Sequence, residues 1–338
     1  GNKLSDTEEL EIEKLIDEKE KILVSPEKLG RAKRIDDAGG RYIEYLKSKF
    51  SRYLRLDGLK IVIDCANGAA YNVAPTILWE LGAKVYPINV KPDGTNVNKN
   101  CGSTYPNTLI EKVLEYKADI GIALDGDADR CLIVDEKGKI LNGDKILALI
   151  GINWKENSKL TNNSIVGTVM TNRGLEKFLH TCDIKLIRTQ VGDRNIITEM
   201  QSNNIALGGE PSGHIILNHY TSTGDGLLAS LEVLAIMKNQ NKKLSLLSNL
   251  YESYPQVEKN FQLDKDQNPE EIINIINTNL NKVSKYNKED SRIIVRKSGT
   301  ENKLRVMVES SSKDTATKIV SEANKIFIEK CQTKLSHL

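Results

Sequence analysis

Cysteine and histidine are scarce in this sequence, and its net charge is small. Its 338 residues include only four histidines, and its formal net charge of +2 gives no electrostatic reason to expect nucleic-acid binding. The cysteines are odd in number, widely spaced and without a CxxC pair, which argues against zinc and disulfides and favours reduced, buried thiols in a cytoplasmic protein. They are Cys65, Cys101, Cys131, Cys182 and Cys331.

Long apolar runs are also missing. No stretch approaches the ~20 apolar residues of a membrane helix, and no signal peptide opens the sequence, so we expect no membrane association. The chain is longer than a domain with a single hydrophobic core usually is. Its length therefore predicts two to four domains of roughly 100 residues. Because the first residue is Gly1 and not Met, we expect a processed chain or a fragment of a longer one.

The most informative stretch is residues 118–135, ADIGIALDGDADRCLIVD, in which an acidic turn separates two apolar strands. Asp125, Asp127 and Asp129 alternate there with Gly and Ala, so a tight turn can bring three carboxylates together around one hard cation. Ligation by oxygen alone indicates Mg²⁺ or Ca²⁺ rather than zinc.

This turn has two other interpretations. A calcium loop of the EF-hand type would explain Glu136 at the twelfth position, but the sixth position is Arg130 instead of Gly and the flanks are strands instead of helices. A solvated acidic turn without an ion is the second alternative. Arg130 favours the metal interpretation, since a guanidinium beside a divalent cation forms a site for phosphate.

The pattern of elements predicts an α/β protein. A βαβ unit over residues 59–90 leads through a helix to the strand before the acidic turn, and a similar α/β pattern begins again at Ser164. From Pro255 onward the pattern changes to a small α+β domain. Residues 5–21 form a predicted helix with Ser5 or Asp6 as its cap, and its apolar stripe needs a partner.

Three further loops carry functional side chains. The first, RKSGTE at residues 296–301, is rich in hydroxyls and arginine and is followed by Arg305, which favours a phosphate-binding nest over an ordinary polar hairpin. The second, GGEPSGH at residues 208–214, suits the hydroxyls and amine of a sugar, although His214 alone could be an ordinary loop histidine. In the third, VGDR at residues 191–194, Asp193 is a predicted helix cap, and Arg194 is either a phosphate contact or a surface charge.

These motifs occur together in one known family. DGDADR, GGEPSGH and RKSGTENKLRVMVE, in this order, resemble the metal, sugar and phosphate loops of the α-D-phosphohexomutases. GTVMTN at residues 167–172 and RTQVGDRNI at residues 188–196 are most similar to the branch that acts on glucosamine phosphates. The branches acting on mannose or glucose phosphates remain as alternatives.

The resemblance implies tandem similar α/β domains with mixed sheets, followed by a smaller α+β C-terminal domain. It divides the chain into the tail of a truncated first domain (1–38), a second domain with the metal loop (39–141), a third with the sugar loop (142–256) and a C-terminal phosphate-binding domain (257–338). Its implied residues are Asp125, Asp127 and Asp129 for one Mg²⁺, Arg130 for catalysis, Glu210, Ser212 and His214 for sugar, Arg296, Ser298, Gly299, Thr300 and Arg305 for phosphate, and Asp193 and Arg194 as additional candidates.

The implied reaction interconverts glucosamine 6-phosphate and glucosamine 1-phosphate through a phosphoserine enzyme and a hexosamine 1,6-bisphosphate. It feeds the synthesis of UDP-N-acetylglucosamine and of the cell wall. The family's serine lies in a TASHNP-like motif that these 338 residues do not contain. As it stands, the chain is therefore expected to bind metal and a small-molecule sugar phosphate without turnover. No nucleic-acid or membrane partner is expected, and a homodimer is left open.

Overall fold

The computed structural model describes residues 4–17, 24–264, 267–282, 291–298 and 302–329. The chain divides into two compact units, which we describe separately. The first unit contains the described residues up to Thr168 together with Ile187–Asn249, and the second contains Val169–Leu186 together with those from Leu250 onward.

The described residues form the following helices and strands, numbered in chain order. The strands are β1 (Lys60–Asp64), β2 (Lys84–Ile88), β3 (Ile120–Leu124), β4 (Cys131–Asp135), β5 (Ile140–Leu141), β6 (Ser164–Thr168), β7 (Lys185–Thr189), β8 (Leu207–Gly209), β9 (Ile215–Leu217), β10 (Gln256–Gln262), β11 (Ser291–Lys297) and β12 (Lys303–Ser310). The helices are α1 (Asp6–Asp17), α2 (Ala38–Lys49), α3 (Val73–Glu80), α4 (Asn107–Tyr116), α5 (Gly143–Glu156), α6 (Arg173–Thr181), α7 (Asp193–Ser202), α8 (Gly226–Gln240), α9 (Leu244–Leu247), α10 (Pro269–Lys282) and α11 (Lys313–Phe327).

The first sheet has the strand order β2-β1-β3-β4-β5. Strand β1 pairs in parallel with β2 and β3, as the βαβ pattern predicted, and β4 then runs antiparallel to β3. All five residues of β3 are buried, which explains its unbroken apolar sequence. The loop between β3 and β4 therefore leaves the carboxyl end of a central, rigid strand.

The second sheet repeats this plan with the order β7-β6-β8-β9. Strands β6 and β8 are parallel, and β8 and β9 are antiparallel, as are β3 and β4 in the first sheet. The expectation of tandem similar α/β units with mixed sheets is confirmed. The repetition also has a functional consequence, because the acidic turn and the GGEPSGH loop occupy equivalent positions, each between the last central strand and its antiparallel neighbour.

The second unit contains the predicted α+β fold. Its antiparallel sheet has the order β10-β12-β11, and α10 and α11 pack against it. Phe261 of the sheet stacks on Phe327 of α11 with ring centroids 4.6 Å apart. Apolar residues of these strands and helices form one buried cluster, which gives this part of the chain a core of its own.

Several details differ from the sequence predictions. Helix α1 begins as predicted at a Ser5 cap, where Ser5 and Glu8 bond each other reciprocally, but its described part ends at Asp17. Helix α5 was not predicted; it is buried on most sides and shows no clear amphipathic period. Cys182 is half-buried instead of buried, and Cys331 lies outside the described residues.

Within the part of the chain that the structure describes, no helix has both the length and the apolar character needed to cross a membrane. The apolar stripe of α1 is exposed, with Leu10 and Leu15 each 56% accessible. Helix α8, by contrast, is mostly buried, which agrees with its strongly apolar sequence.

Candidate functional site

The acidic turn at residues 125–130 joins β3 to β4. Leu124 and Cys131 on either side of it are paired across the two strands, so the turn closes tightly. One carboxylate oxygen from each of Asp125, Asp127 and Asp129 lies within 4.8 Å of the others. Asp125 is buried, Asp129 is half-buried and Asp127 is exposed, so the cluster opens to solvent on one side. The structure thus brings together the three residues proposed from the sequence as metal ligands.

The electrostatics of the turn fit a hard cation. Burial, followed by repulsion from Asp129 and Asp127, raises the pKa of Asp125 to about 6. The hydrogen bond from His214 is the main cause that lowers the pKa of Asp129. The Oδ1 atom of Asp129 is buried and accepts no hydrogen bond, although Arg130 Nε lies 3.6 Å away. An oxygen-only cluster with an unused buried acceptor is what a divalent cation would satisfy.

The raised pKa of Asp125 predicts how metal affinity depends on pH. Below about pH 6 the metal-free carboxyl is protonated, so each bound cation must displace a proton. The affinity for Mn²⁺, used as a probe for Mg²⁺, is therefore expected to fall roughly tenfold per pH unit below pH 6 and to level off above it. Titration of the purified chain at several pH values between about 5 and 7.5 measures this. An affinity that stays constant over that range would contradict the assignment of Asp125 as a ligand.

The GGEPSGH loop at residues 208–214, named the sugar loop for its proposed role, joins β8 to β9. Its backbone is closed by hydrogen bonds from Gly213 N to Glu210 O and from Glu210 N to His214 O, each 3.0 Å long. Glu210 is half-buried and accepts from Gly192 N through Oε1 and from Ser212 Oγ through Oε2, while Ser212 is exposed. Glu210 and Ser212 therefore form one accessible polar group. His214 differs from both, because only 3% of it is exposed.

The acidic turn at residues 125–130, named the metal loop for its proposed role, is joined to the sugar loop by backbone pairing. Cys131 N donates to Gly213 O over 3.0 Å, and Arg130 and His214 form an isolated antiparallel bridge. Gly213 has φ = +95°, and a side-chain carbon there would overlap the carbonyl of Cys131. Only glycine combines that backbone conformation with such a close approach. The last Gly of GGEPSG is thus required for the contact that holds the two loops together.

The Asp193–Arg194 pair was proposed as an additional part of the site. Asp193 is the first residue of α7, and Gly192 occupies the cap position, so the prediction of an Asp193 cap is wrong. Arg194 donates to Leu4 O and forms an ion pair with Glu9 of α1. Its guanidinium therefore links α7 to α1 in this structure.

The proposed phosphate loop belongs to the second unit. Arg296 on β11 lies directly opposite Arg305 on β12, and Ser298 is buried with its N–H donating to Lys303 O. Strands β11 and β12 are therefore antiparallel neighbours on either side of this loop, and phosphate binding by the loop stays a prediction. Gly299 and Thr300, the other two residues proposed for phosphate binding, lie outside the described residues.

Sequence reasoning missed a cavity of about 350 Å³ beside the metal loop. Its lining includes Tyr42, Asp127, Asp129 and Asp225. Tyr42 donates to Asp225 Oδ2 over 2.9 Å, and Asp225 Oδ1 accepts from Leu228 N at the start of α8. Asp225 before an apolar run is a recognisable cap signal, but nothing in the sequence indicated its pairing with Tyr42.

Duplicated α/β units that carry an acidic turn joined to the GGEPSGH loop are the arrangement expected of an enzyme that acts on sugar phosphates. Comparison with family models agrees with this classification. Three models of phosphoglucomutase/phosphomannomutase match in order: alpha/beta/alpha domain II at residues 40–138, alpha/beta/alpha domain III at residues 142–254 and the C-terminal domain at residues 258–326. The chain belongs to the phosphoglucomutase/phosphomannomutase family, and the resemblance to the α-D-phosphohexomutases is confirmed.

Individual relatives point to one branch of this family. The chain is 49% identical to phosphoglucosamine mutase from Zymomonas mobilis over 320 residues, and 48% identical to phosphoglucosamine mutase from Nitrobacter winogradskyi over 323 residues. In both cases the match covers 95% of this chain and 71% of the relative. These relatives are isomerases of the phosphohexomutase type.

Solved structures share the fold at lower identity. A phosphoglucomutase/phosphomannomutase family protein from Burkholderia thailandensis matches with a TM-score of 0.71 and 20% identity, over 86% of this chain and 64% of that one. N-acetylphosphoglucosamine mutase from Aspergillus fumigatus, solved in complex with GlcNAc-6P and magnesium, matches with a TM-score of 0.65 and 21% identity. That match covers 86% of this chain and 66% of the Aspergillus protein.

Proposed function

We propose that this chain forms the metal- and sugar-phosphate-binding part of a phosphoglucosamine mutase, which interconverts glucosamine 6-phosphate and glucosamine 1-phosphate. The observation that carries the proposal is the cluster of three Asp carboxylates in a turn that lies beside the GGEPSGH loop. A backbone hydrogen bond from Cys131 N to Gly213 O connects the two segments. Curated phosphoglucosamine mutases at 45–49% identity over 95% of the chain support the choice of branch. The proposed setting is the cytoplasm, where thiols stay reduced.

In the first unit, Asp125, Asp127 and Asp129 would hold one Mg²⁺. When bound, the cation would neutralise charge on a phosphoryl group, which is the main requirement of phosphoryl transfer. The Arg130 side chain is 44% exposed, and its Nε lies 3.7 Å from Asp125 Oδ2 and 3.6 Å from Asp129 Oδ1. It can therefore turn from these carboxylates to a phosphate oxygen at the mouth of the site.

The sugar loop supplies selectivity for the amino sugar. Glu210 presents a half-buried carboxylate whose present hydrogen-bond donors are Gly192 N and Ser212 Oγ. Such a carboxylate is the partner that a protonated amine would take, since hydrogen bonds to charged groups contribute about 1.5–3 kcal/mol. The hydroxyl of Ser212 can donate to or accept from a sugar hydroxyl.

In the second unit, the hairpin of β11 and β12 is proposed to bind a phosphate group. Arg296 and Arg305 are directly opposite each other across the two strands. Like charges in this arrangement destabilise a sheet, and a bound dianion would remove that repulsion. The recessed N–H of Ser298 already bonds Lys303 O, so we assign the principal contacts to the two guanidinium groups.

The net reaction moves one phosphoryl group between O6 and O1 of the sugar. In the proposed route, the phosphoserine that the family resemblance implies gives its phosphoryl group to the free sugar hydroxyl, which loses a proton as hexosamine 1,6-bisphosphate forms, while the serine oxygen regains one. The serine then takes the other phosphoryl group from the bisphosphate and loses its proton again, while the freed sugar oxygen gains one. The 338 residues contain no TASHNP-like serine motif, and this favours a second candidate function for the chain by itself, namely binding without turnover. Turnover by the purified 338-residue chain would contradict this second candidate.

Ligand selectivity tests the choice of branch. Glucosamine 6-phosphate is expected to bind the chain roughly tenfold or more tightly than mannose 6-phosphate, because only the former offers an amine to Glu210. Calorimetric titration with each ligand in excess Mg²⁺ measures the ratio. The Glu210→Gln variant is expected to reduce the preference to within about threefold.

The matched control is Glu156→Gln, which makes the same change at an exposed position near the end of α5. This control should keep the wild-type preference. If wild type binds mannose 6-phosphate as well as or better than glucosamine 6-phosphate, the glucosamine assignment is wrong, although the family assignment stands.

A further inference from the structure

His214 is a buried partner of a proposed metal ligand. Its Nδ1 lies 3.1 Å from Asp129 Oδ2, and its side chain is only 4% exposed. A carboxylate can only accept when ionised, so Nδ1 carries the hydrogen and donates it. The imidazole therefore holds Oδ2 of Asp129 by a hydrogen bond.

The other oxygen of Asp129 is left available for a cation. Oδ1 is buried and accepts no hydrogen bond, while the guanidinium of Arg130 remains 3.6 Å away. Asp129 is also one of the three carboxylates whose oxygens approach within 4.8 Å. Holding Oδ2 with a directional bond thus fixes which way Oδ1 points.

The imidazole is itself held by backbone. A side-chain carbon added at Gly224 would lie 2.6 Å from both Nδ1 and Nε2 of His214, and closer still to Cε1, so the ring rests directly against Gly224. Isolated bridges pair Arg130 with His214 and Ile216 with Gly224. The ring is therefore confined between the metal loop on one side and the segment that leads into α8 on the other.

We propose that His214 is a positioning residue for the metal loop: its Nδ1–H orients Asp129 toward the cation, and Gly224 is the surface that sets the imidazole in place. This inference rests on the metal site of the proposed function. It assigns to His214 a role different from the sugar contact implied by the family resemblance. The His214 ring is buried and has no face open to a sugar in this structure. Glu210 and Ser212, by contrast, are accessible.

Paired substitutions distinguish the two ring nitrogens. His214→Asn places an N–H near the position of Nδ1, whereas His214→Gln places one near the position of Nε2. Binding of Mn²⁺ to the chain, followed by the electron paramagnetic resonance signal of free Mn²⁺, is measured without any sugar present. Partners that orient metal ligands typically contribute roughly 10–100-fold to affinity. We expect a loss of that size for His214→Gln and His214→Ala, and a loss below about threefold for His214→Asn.

A second substitution tests the role of Gly224. Gly224→Ala places a methyl group where the imidazole lies, so it is expected to weaken Mn²⁺ binding roughly tenfold or more by displacing the ring. The side chain of His214→Asn lacks Cε1 and Nε2, two of the three ring atoms that the methyl group would meet. In that background the same Gly224→Ala change should cost clearly less, which a double-mutant cycle detects as coupling between the two positions.

Controls separate positioning from misfolding. His219→Asn makes the matched change at an exposed histidine whose Nε2 contacts Lys159 O, and it should leave Mn²⁺ affinity unchanged. Thermal melting with EDTA reports whether each variant folds. Equal Mn²⁺ affinities for wild type, His214→Asn and His214→Gln, or a higher Mn²⁺ affinity for His214→Gln than for His214→Asn, would overturn the inference while leaving the metal site intact. A folded wild-type chain that binds no Mn²⁺ would instead overturn the metal site of the proposed function, and this inference with it.

Discussion

Glu309→Ala is expected to destabilise the second unit by about 3–5 kcal/mol, because it removes a fully buried carboxylate that pairs with half-buried Arg292 and accepts hydrogen bonds from two further residues. Glu309 is fully buried at the end of β12, and it accepts from Arg292 Nε over 3.0 Å and pairs with Arg292 Nη2 at 2.8 Å. It also accepts from Arg173 N and from Gln256 Nε2, each over 3.0 Å. One carboxylate thus joins three separate segments of the unit.

Urea unfolding of the variant, followed by circular dichroism, measures this loss. The transition of the second unit should move to lower urea, and that of the first unit should not. The control is Glu322→Ala on α11, where the exposed pair with Lys325 spans 3.9 Å and should contribute less than about 1 kcal/mol. Equal stabilities for the two variants would show that the Glu309 network is not what holds the unit together.

Asp125→Asn is expected to have opposite effects on stability and on metal binding. At pH 7 the metal-free protein must keep a buried Asp125 ionised although its pKa is raised to about 6. Asparagine removes that charge and can still accept the 3.1 Å hydrogen bond from Arg130 N. We therefore expect the metal-free variant to be more stable than wild type by about 1–3 kcal/mol.

Metal binding should change in the other direction. A charged ligand contributes more than the residues that orient it, so the loss of Mn²⁺ affinity should exceed roughly 100-fold. Melting temperatures with EDTA and with excess Mg²⁺ reveal both effects, since Mg²⁺ should stabilise wild type and not the variant. A variant that is less stable in EDTA and still stabilised by Mg²⁺ would mean that Asp125 is structural. A gain in stability together with a loss of metal affinity is typical of functional sites, which hold groups that disfavour folding.

The sequence predicted the composition of the metal site better than its surroundings. The alternation of Asp with Gly and Ala was enough to predict convergence of Asp125, Asp127 and Asp129, because a short turn between paired strands leaves few other arrangements. The bond from His214 to Asp129 could not be predicted, since it depends on two loops from different sheets meeting. The same applies to Tyr42 and Asp225, which lie far apart in sequence.

The division into units shows a second limit. The pattern of predicted elements indicated a change of fold at Pro255, and the C-terminal sheet begins at Gln256. Residues 169–186, however, group with the C-terminal part because of contacts such as Arg173 N to Glu309 and Asn172 Nδ2 to Tyr254 O. Hydrophobic periodicity reports which face of an element is buried, but not which distant segment covers it.

We propose that the metal loop and the sugar loop of the first unit form one site. Proton relaxation of glucosamine 6-phosphate in the presence of the chain and Mn²⁺ tests it most directly, because bound Mn²⁺ relaxes only nearby sugar protons. We predict strong relaxation with wild type and its loss in Asp127→Ala, which removes a proposed ligand without touching the sugar loop. Relaxation that is the same in both proteins, or absent in wild type although both ligands bind, would contradict the account.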